Sequence, residues 1–171
     1  PQEGDDYRAN ALAKALAVAQ QWSLAAIADD SGLEVDALGG APGPYSARYG
    51  GSAPDDAGRG AHLLAALRDV PPERRGARFV CWTALAIPTP GGEPTTATAV
   101  GTCAGWIRSQ PSGGGGFGYD PVFVPQPTAH ARGAPAPDAP TMAELAASEK
   151  NAISHRARAV ADLAQTRAWE S

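Results

Sequence analysis

Three short strings in this chain gather residue types that do chemistry together. The first is Asp29-Asp30-Ser31-Gly32, two adjacent carboxylates and a hydroxyl directly after the apolar run at residues 24–28. Adjacent like charges raise the local need for a proton or a divalent cation. An all-oxygen donor set suits Mg²⁺, which keeps several waters and shares its other positions with substrate phosphates. The same string also serves as an ordinary turn or helix cap. The second, GGGGFGYD at residues 113–120, combines glycines that let backbone N–H groups approach a ligand with an aromatic that can stack on a base. A flexible turn is the plainer use of such residues. The third, SEKNAISHR at residues 148–156, places Lys150 in the first turn of a helix and His155 and Arg156 about one and a half turns later. Helix N-termini favour anions, and both later side chains donate hydrogen bonds to a keto oxygen or a phosphate. A solvated basic face is the alternative.

The elements that must position these strings follow from hydrophobic periodicity. Leu12, Ala15, Leu16 and Ala19 form one apolar stripe, which predicts a helix over residues 5–22 with Asp5 or Asp6 as its cap. Residues 24–28 read as a short buried strand that stops at the Asp29-Asp30-Ser31-Gly32 break, and residues 33–38 as a second short strand. A turn-rich loop spans 39–51. A helix covers 55–68, with Leu63, Leu64 and Leu67 inward. Residues 78–87 and 95–107, joined by a PTPGGEP turn, form a hairpin. The glycine string leads through a loop into another short strand. Residues 125–140 hold five prolines and read as a loop. The last element is a helix over 149–168, capped by Ser148, with Ile153, Ala157, Val160 and Leu163 or Ala164 inward. Strands mixed with flanking helices indicate an α/β or α+β domain.

Composition narrows the function classes. With 171 residues, 43% hydrophobic and 19% charged, the chain is one domain able to bury a core, with two small lobes allowed. A net charge of −4 excludes a generic nucleic-acid coat, which needs a basic excess. Apolar runs fall short of the ~20 residues of a membrane span. Two cysteines, Cys81 and Cys103, are too few for a disulfide scaffold and lack CxxC spacing, so they read as packed strand residues of a cytoplasmic protein. His62 and His130 read as surface residues. Of 14 basic residues only Lys14 and Lys150 are lysines. A GxxxxGK[ST] string is absent, which excludes a Walker-type NTPase.

Taken together and in order, ADDSGLEVDALGGAPGPYSARYGG, GGFGYDPVF and AELAASEKNAISHRARA resemble the family of inosine/xanthosine triphosphate pyrophosphatases, also called dITP/XTP pyrophosphatases. The resemblance runs from about residue 4 to about residue 159. It implies an elongated, two-lobed α/β fold with a long twisted mixed sheet flanked by helices and a nucleotide cleft between the lobes. It further implies a Mg²⁺-dependent homodimer that cleaves ITP, dITP or XTP to the monophosphate and pyrophosphate. Matched by motif, Asp30 corresponds to the proton acceptor and metal ligand and Ser31 to the adjoining substrate contact. Phe117, Gly118, Tyr119 and Asp120 match the string that closes on base and sugar. Lys150, His155 and Arg156 match the lysine and donors beside the purine.

The family's opening strand and its T/S-G-N-x-x-K phosphate loop have no counterpart in these residues. The chain therefore reads as a single, N-terminally incomplete domain over residues 1–171 that by itself hydrolyses weakly or not at all, with Glu3 in the family's acidic stretch. Two alternatives stand beside the enzyme reading: a non-catalytic nucleotide-binding remnant of the family, and a Maf-like nucleotide pyrophosphatase. Ser154-His155-Arg156 argues against the latter.

Overall fold

Among the described residues, five strands form one sheet in the order β2-β1-β3-β4-β5. They are β1 (Ala26–Val35), β2 (Pro42–Gly43), β3 (Gly76–Ile87), β4 (Thr95–Ile107) and β5 (Phe123–Pro125). The α-helices among the described residues are α1 (Tyr7–Trp22), α2 (Asp56–Ala66), α3 (Ala147–Ile153) and α4 (His155–Gln165). The expected α/β class is what this computed structural model contains, and it describes residues 4–51, 55–126 and 138–170. Glu3, His130 and most of the proline-rich segment lie outside the described residues. The outer pairings are antiparallel, with Leu33 opposite Gly43 and Trp106 opposite Val124. The chain divides into two compact units. One gathers the chain up to Ser31, Val80–Thr102 and the chain from Ser154 onward; the other comprises Gly32–Phe79 and Cys103–Ile153.

In the first unit, side chains alternate across the strands and each face receives a helix. Ala84 and Ala86 of β3, with Ala26 of β1, meet Ala11, Ala15 and Ala19 of α1 in a core of methyl groups. Asp6 caps α1 by accepting the Ala9 N–H at 3.0 Å. The intervening β3 residues serve the other face, where Leu85 packs with Ala99 and Leu163, and Thr83 Oγ1 donates to the Ala159 carbonyl at 3.2 Å. Gly101 of β4 lies against α4 so closely that a Cβ would run into the His155 carbonyl and the Ala159 N–H.

Three expectations are corrected here. The strand at 24–28 is neither short nor wholly buried: β1 begins at Ala26, and Leu24 and Ile27 are exposed. It also does not stop at Asp29-Asp30-Ser31-Gly32 but runs through to Val35, because the polar residues keep the in-out alternation and find partners on both sides. Finally, the single helix over 149–168 is two. Ser154 is extended, with φ −66° and ψ 146°, and its side chain accepts the Ala157 N–H, so a cap interrupts the helix. The break resets the helical phase, burying Ala159 and Leu163 while Val160 is 47% exposed.

In the second unit, Leu33, Val35, Leu63, Leu67, Phe79 and Phe123 are among the core residues, with the two phenylalanine rings 4.6 Å apart. Asp55 caps α2 by accepting the Gly58 N–H at 2.7 Å. The start of the glycine string is clamped by the turn before α3. Glu144 accepts the Ser112 hydroxyl at 2.7 Å and the Thr141 N–H at 2.8 Å, while Thr141 Oγ1 donates to the Ser112 carbonyl. Gly115 N–H adds a bond to the Ala143 carbonyl at 3.1 Å. The Thr141 N–H, then the Ser112 hydroxyl, hold the Glu144 carboxyl below the usual glutamate range.

These contacts set three expected outcomes. Gly101→Ala destabilises the fold by about 3 kcal/mol in urea titration, because backbone on both sides of the new methyl must move. Gly60→Ala, inside α2 where a Cβ meets nothing within 4 Å, stabilises by about 0.5–1 kcal/mol. The Glu144 clamp has a depressed folded pKa, so its stabilisation is complete above the unfolded glutamate pKa and disappears as pH falls through the folded one. The melting temperatures of wild type and Glu144→Gln therefore differ at neutral pH and converge in acid.

Candidate active site

Asp29 and Asp30 are neighbours on β1, so the pleat turns their carboxylates to opposite faces of the sheet. Asp30, 7% exposed, faces α1. Its Oδ1 pairs with Lys14 Nζ at 2.7 Å and its Oδ2 accepts from Asn10 Nδ2 at 3.0 Å. Asn10 and Lys14 are four residues apart, one turn of α1, which is why both reach the same carboxylate.

Asp29 faces the other way. Its Oδ2 receives Arg156 Nε and Nη2, each at 3.1 Å, together with the Ser31 hydroxyl at 2.9 Å and the Cys81 thiol at 3.7 Å. Burial, assisted by the nearby Asp29 charge, pushes the Cys81 thiol up to about 11, so it donates as a neutral S–H. The first string thus does not present a paired carboxylate to one ion. Each Asp has its own cation, supplied by a different helix.

Among the described residues, no three His, Cys, Asp or Glu side chains come together as a metal cluster. The donor set nevertheless fits a cation of the Mg²⁺ kind. Asp30 offers two carboxylate oxygens, each with one protein partner and a further lone pair, and Mg²⁺ needs only one or two carboxylates when phosphate oxygens and waters complete its shell.

The second cluster is the FGYD loop. Asp120 is 4% exposed, and its Oδ2 accepts the Phe117 N–H at 2.8 Å and forms a very short ion pair with Lys150. Lys150 Nζ also sits 4.5 Å from the centre of the Phe117 ring. That ring is 57% exposed. Gly118, at φ +63°, gives the loop a turn that a side chain would strain, and its N–H donates to Asp56 Oδ2 at 2.7 Å. Tyr119 is 4% exposed, its hydroxyl donates to the Ser46 carbonyl at 2.8 Å, and burial raises its pKa. Tyr119 and Asp120 therefore act on the loop itself, while Phe117 is the member that faces outward.

The third string is divided by Ser154. Lys150 is on α3 with Asp120, whereas His155 and Arg156 open α4 and Arg156 is bound to Asp29. Sequence reasoning missed Asn10, Lys14 and Asp56 as site residues. The signal for the first two was present: two long polar side chains one turn apart in a helix otherwise rich in alanine. Asp56 follows a capping Asp55 and looks like an ordinary first-turn acid.

The Ham1 family profile matches residues 1–166. The dITP/XTP pyrophosphatase of Geobacillus kaustophilus is 50% identical over 168 residues, covering 98% of this chain and 74% of the relative. That of Nocardia farcinica is 49% identical, covering 95% and 72%. Among solved structures, the Staphylococcus aureus Ham1 protein superposes with a TM-score of 0.82 at 37% identity, over 100% of this chain and 81% of that one. A HAM1 protein from Coxiella burnetii gives 0.80 at 38% identity, over 97% and 78%. Sequence and fold agree over nearly the whole chain, and the protein belongs to the Ham1 family.

Proposed function

We propose that this protein hydrolyses non-canonical purine nucleoside triphosphates, ITP, dITP or XTP, to the monophosphate and pyrophosphate. The observation that carries the reading is the buried Asp30 carboxylate with Lys14 beside it, in a chain half identical to a dITP/XTP pyrophosphatase. Attack between the α and β phosphates needs their negative charge neutralised and a water oriented and deprotonated. Asp30 is the group for the second task and for holding Mg²⁺, which when bound supplies charge neutralisation and lowers the pKa of water. Lys14, on a flexible stem and bonded to Asp30, can turn its ammonium towards phosphate oxygens.

Phe117 is the stacking platform for the base, with Gly118, Tyr119 and Asp120 shaping its loop and Lys150 placing a cation beside it. His155 and Arg156 are donors suited to O6 of hypoxanthine or xanthine. Adenine presents an amino donor at that position and would leave them unpaired, a penalty of ~1–3 kcal/mol each. A cytoplasmic homodimer goes with this reading. No helix among the described residues is long and apolar enough to cross a membrane.

The test is product chromatography with the protein expressed from its full coding sequence. ITP with Mg²⁺ gives IMP and pyrophosphate in one cut, with little turnover of ATP; release of IDP and orthophosphate would overturn the reading. Asp30→Asn keeps the fold and loses turnover by about 100-fold or more. Phe117→Ala weakens nucleotide affinity by ~1–3 kcal/mol without lowering the melting temperature, since the ring is largely exposed.

A further inference from the structure

Phe117 is held from both sides by carboxylates acting on backbone, not on its ring. Its own N–H donates to Asp120 Oδ2 at 2.8 Å, and the next N–H, of Gly118, donates to Asp56 Oδ2 at 2.7 Å. Asp120 is local, three residues along the same turn. Asp56 comes from the first residue of α2, 62 positions away, where its other oxygen is ion-paired with Arg59. Hydrogen bonds from N–H groups to carboxylates are the stronger kind, and each fixes one peptide plane.

The loop has little else to fix it on the α2 side. Residues 113–116 are all glycine and bring no side chains to pack. A cavity of about 450 Å³ lies between this string and α2, lined by Gly60, Ala61 and Leu64 on one side and by Pro111, Pro121 and the glycine backbone on the other. Among the described residues, that volume separates the glycine string from the α2 side chains. The Phe117 ring, being mostly exposed, gains little positional restraint from burial. Lys150 Nζ lies 4.5 Å from its centre, and the peptide planes on either side also bear on its direction, the plane on its C-terminal side being held by Asp56 across the cavity rim.

We propose that Asp56 is a positioning residue for the Phe117 platform: by holding the Gly118 N–H it fixes the orientation in which the ring meets a purine base. This rests on the reading of Phe117 as the base platform, and it adds a member of the site drawn from outside the three strings. Base stacking is realised equally in the ground and transition states, so losing the latch raises KM while the phosphate chemistry at Asp30 keeps its rate.

Asp56→Ala is expected to raise KM for ITP by about five-fold with kcat within about two-fold. Hydrogen exchange at the Gly118 amide should accelerate in the same variant. Asp56→Asn retains a carbonyl oxygen that accepts the Gly118 N–H, and it recovers most of the affinity and the amide protection. Arg59→Gln, which removes the ion pair but leaves the Asp56 carboxylate, keeps both near wild type. Unchanged KM and unchanged Gly118 exchange in Asp56→Ala would overturn the proposal, as would an Arg59→Gln variant that reproduced the whole effect. A wild-type protein that did not cleave ITP would count against the pyrophosphatase reading instead, and the amide exchange would still decide the latch.

Discussion

Two consecutive carboxylates inside a strand impose the constraint on which the first unit depends. The pleat forbids them from sharing a partner, so the sheet must be answered on both faces at once. Lys14 and Asn10 arrive from α1 for Asp30, and Arg156 arrives from α4 for Asp29. Asp30 is buried, so leaving its carboxylate unpaired would cost several kcal/mol and α1 is held in place, whereas the partly exposed Asp29 ties α4 to the same strand at a smaller cost. The small residues around them serve the same end. Alanines at the α1 contact and Gly101 under α4 let both helices approach closely enough for side chains to reach β1.

The FGYD loop is organised on a different principle. It has one exposed ring and a run of glycines that approach the Ala143 backbone on one side and face a hollow towards α2 on the other. Its shape is carried by hydrogen bonds to carboxylates. Asp120 holds Phe117 and pairs with Lys150, Asp56 holds Gly118, and Glu144 holds Ser112 and the Thr141 turn. Such bonds are directional, which suits a surface that must present an aromatic face at a definite angle while remaining open to a ligand.

Much of this was legible in the sequence, for reasons that can be named. The helix at α1, its Asp6 cap and the β4 boundaries follow from periodicity and capping chemistry, which are local. The places where the reading failed are those where a local polar signal was overridden by distant partners. Asp29-Asp30-Ser31-Gly32 looks like a break, yet α1, β3 and α4 supply enough donors to keep it in strand. Ser154 looks like a tolerable helix interior residue, but its hydroxyl caps α4. Lys14 and Asp56 escaped because their partners are 16 and 62 residues away, and no window of sequence contains both ends of such a bond. The motif strings gave the family, whereas the bonds that aim them came from the fold.

The alanine contact between α1 and the sheet has an asymmetric tolerance to change. Ala11, Ala15 and Ala19 meet Ala26, Ala84 and Ala86 methyl to methyl, so any larger residue at these six sites pushes α1 outward. Because Lys14 and Asn10 ride on that helix, such a push would be read at Asp30 as a longer ion pair as well as in lost stability. Drift at this contact is therefore filtered by chemistry as well as by folding, and alanines that touch no ligand share in the stringency of the site itself.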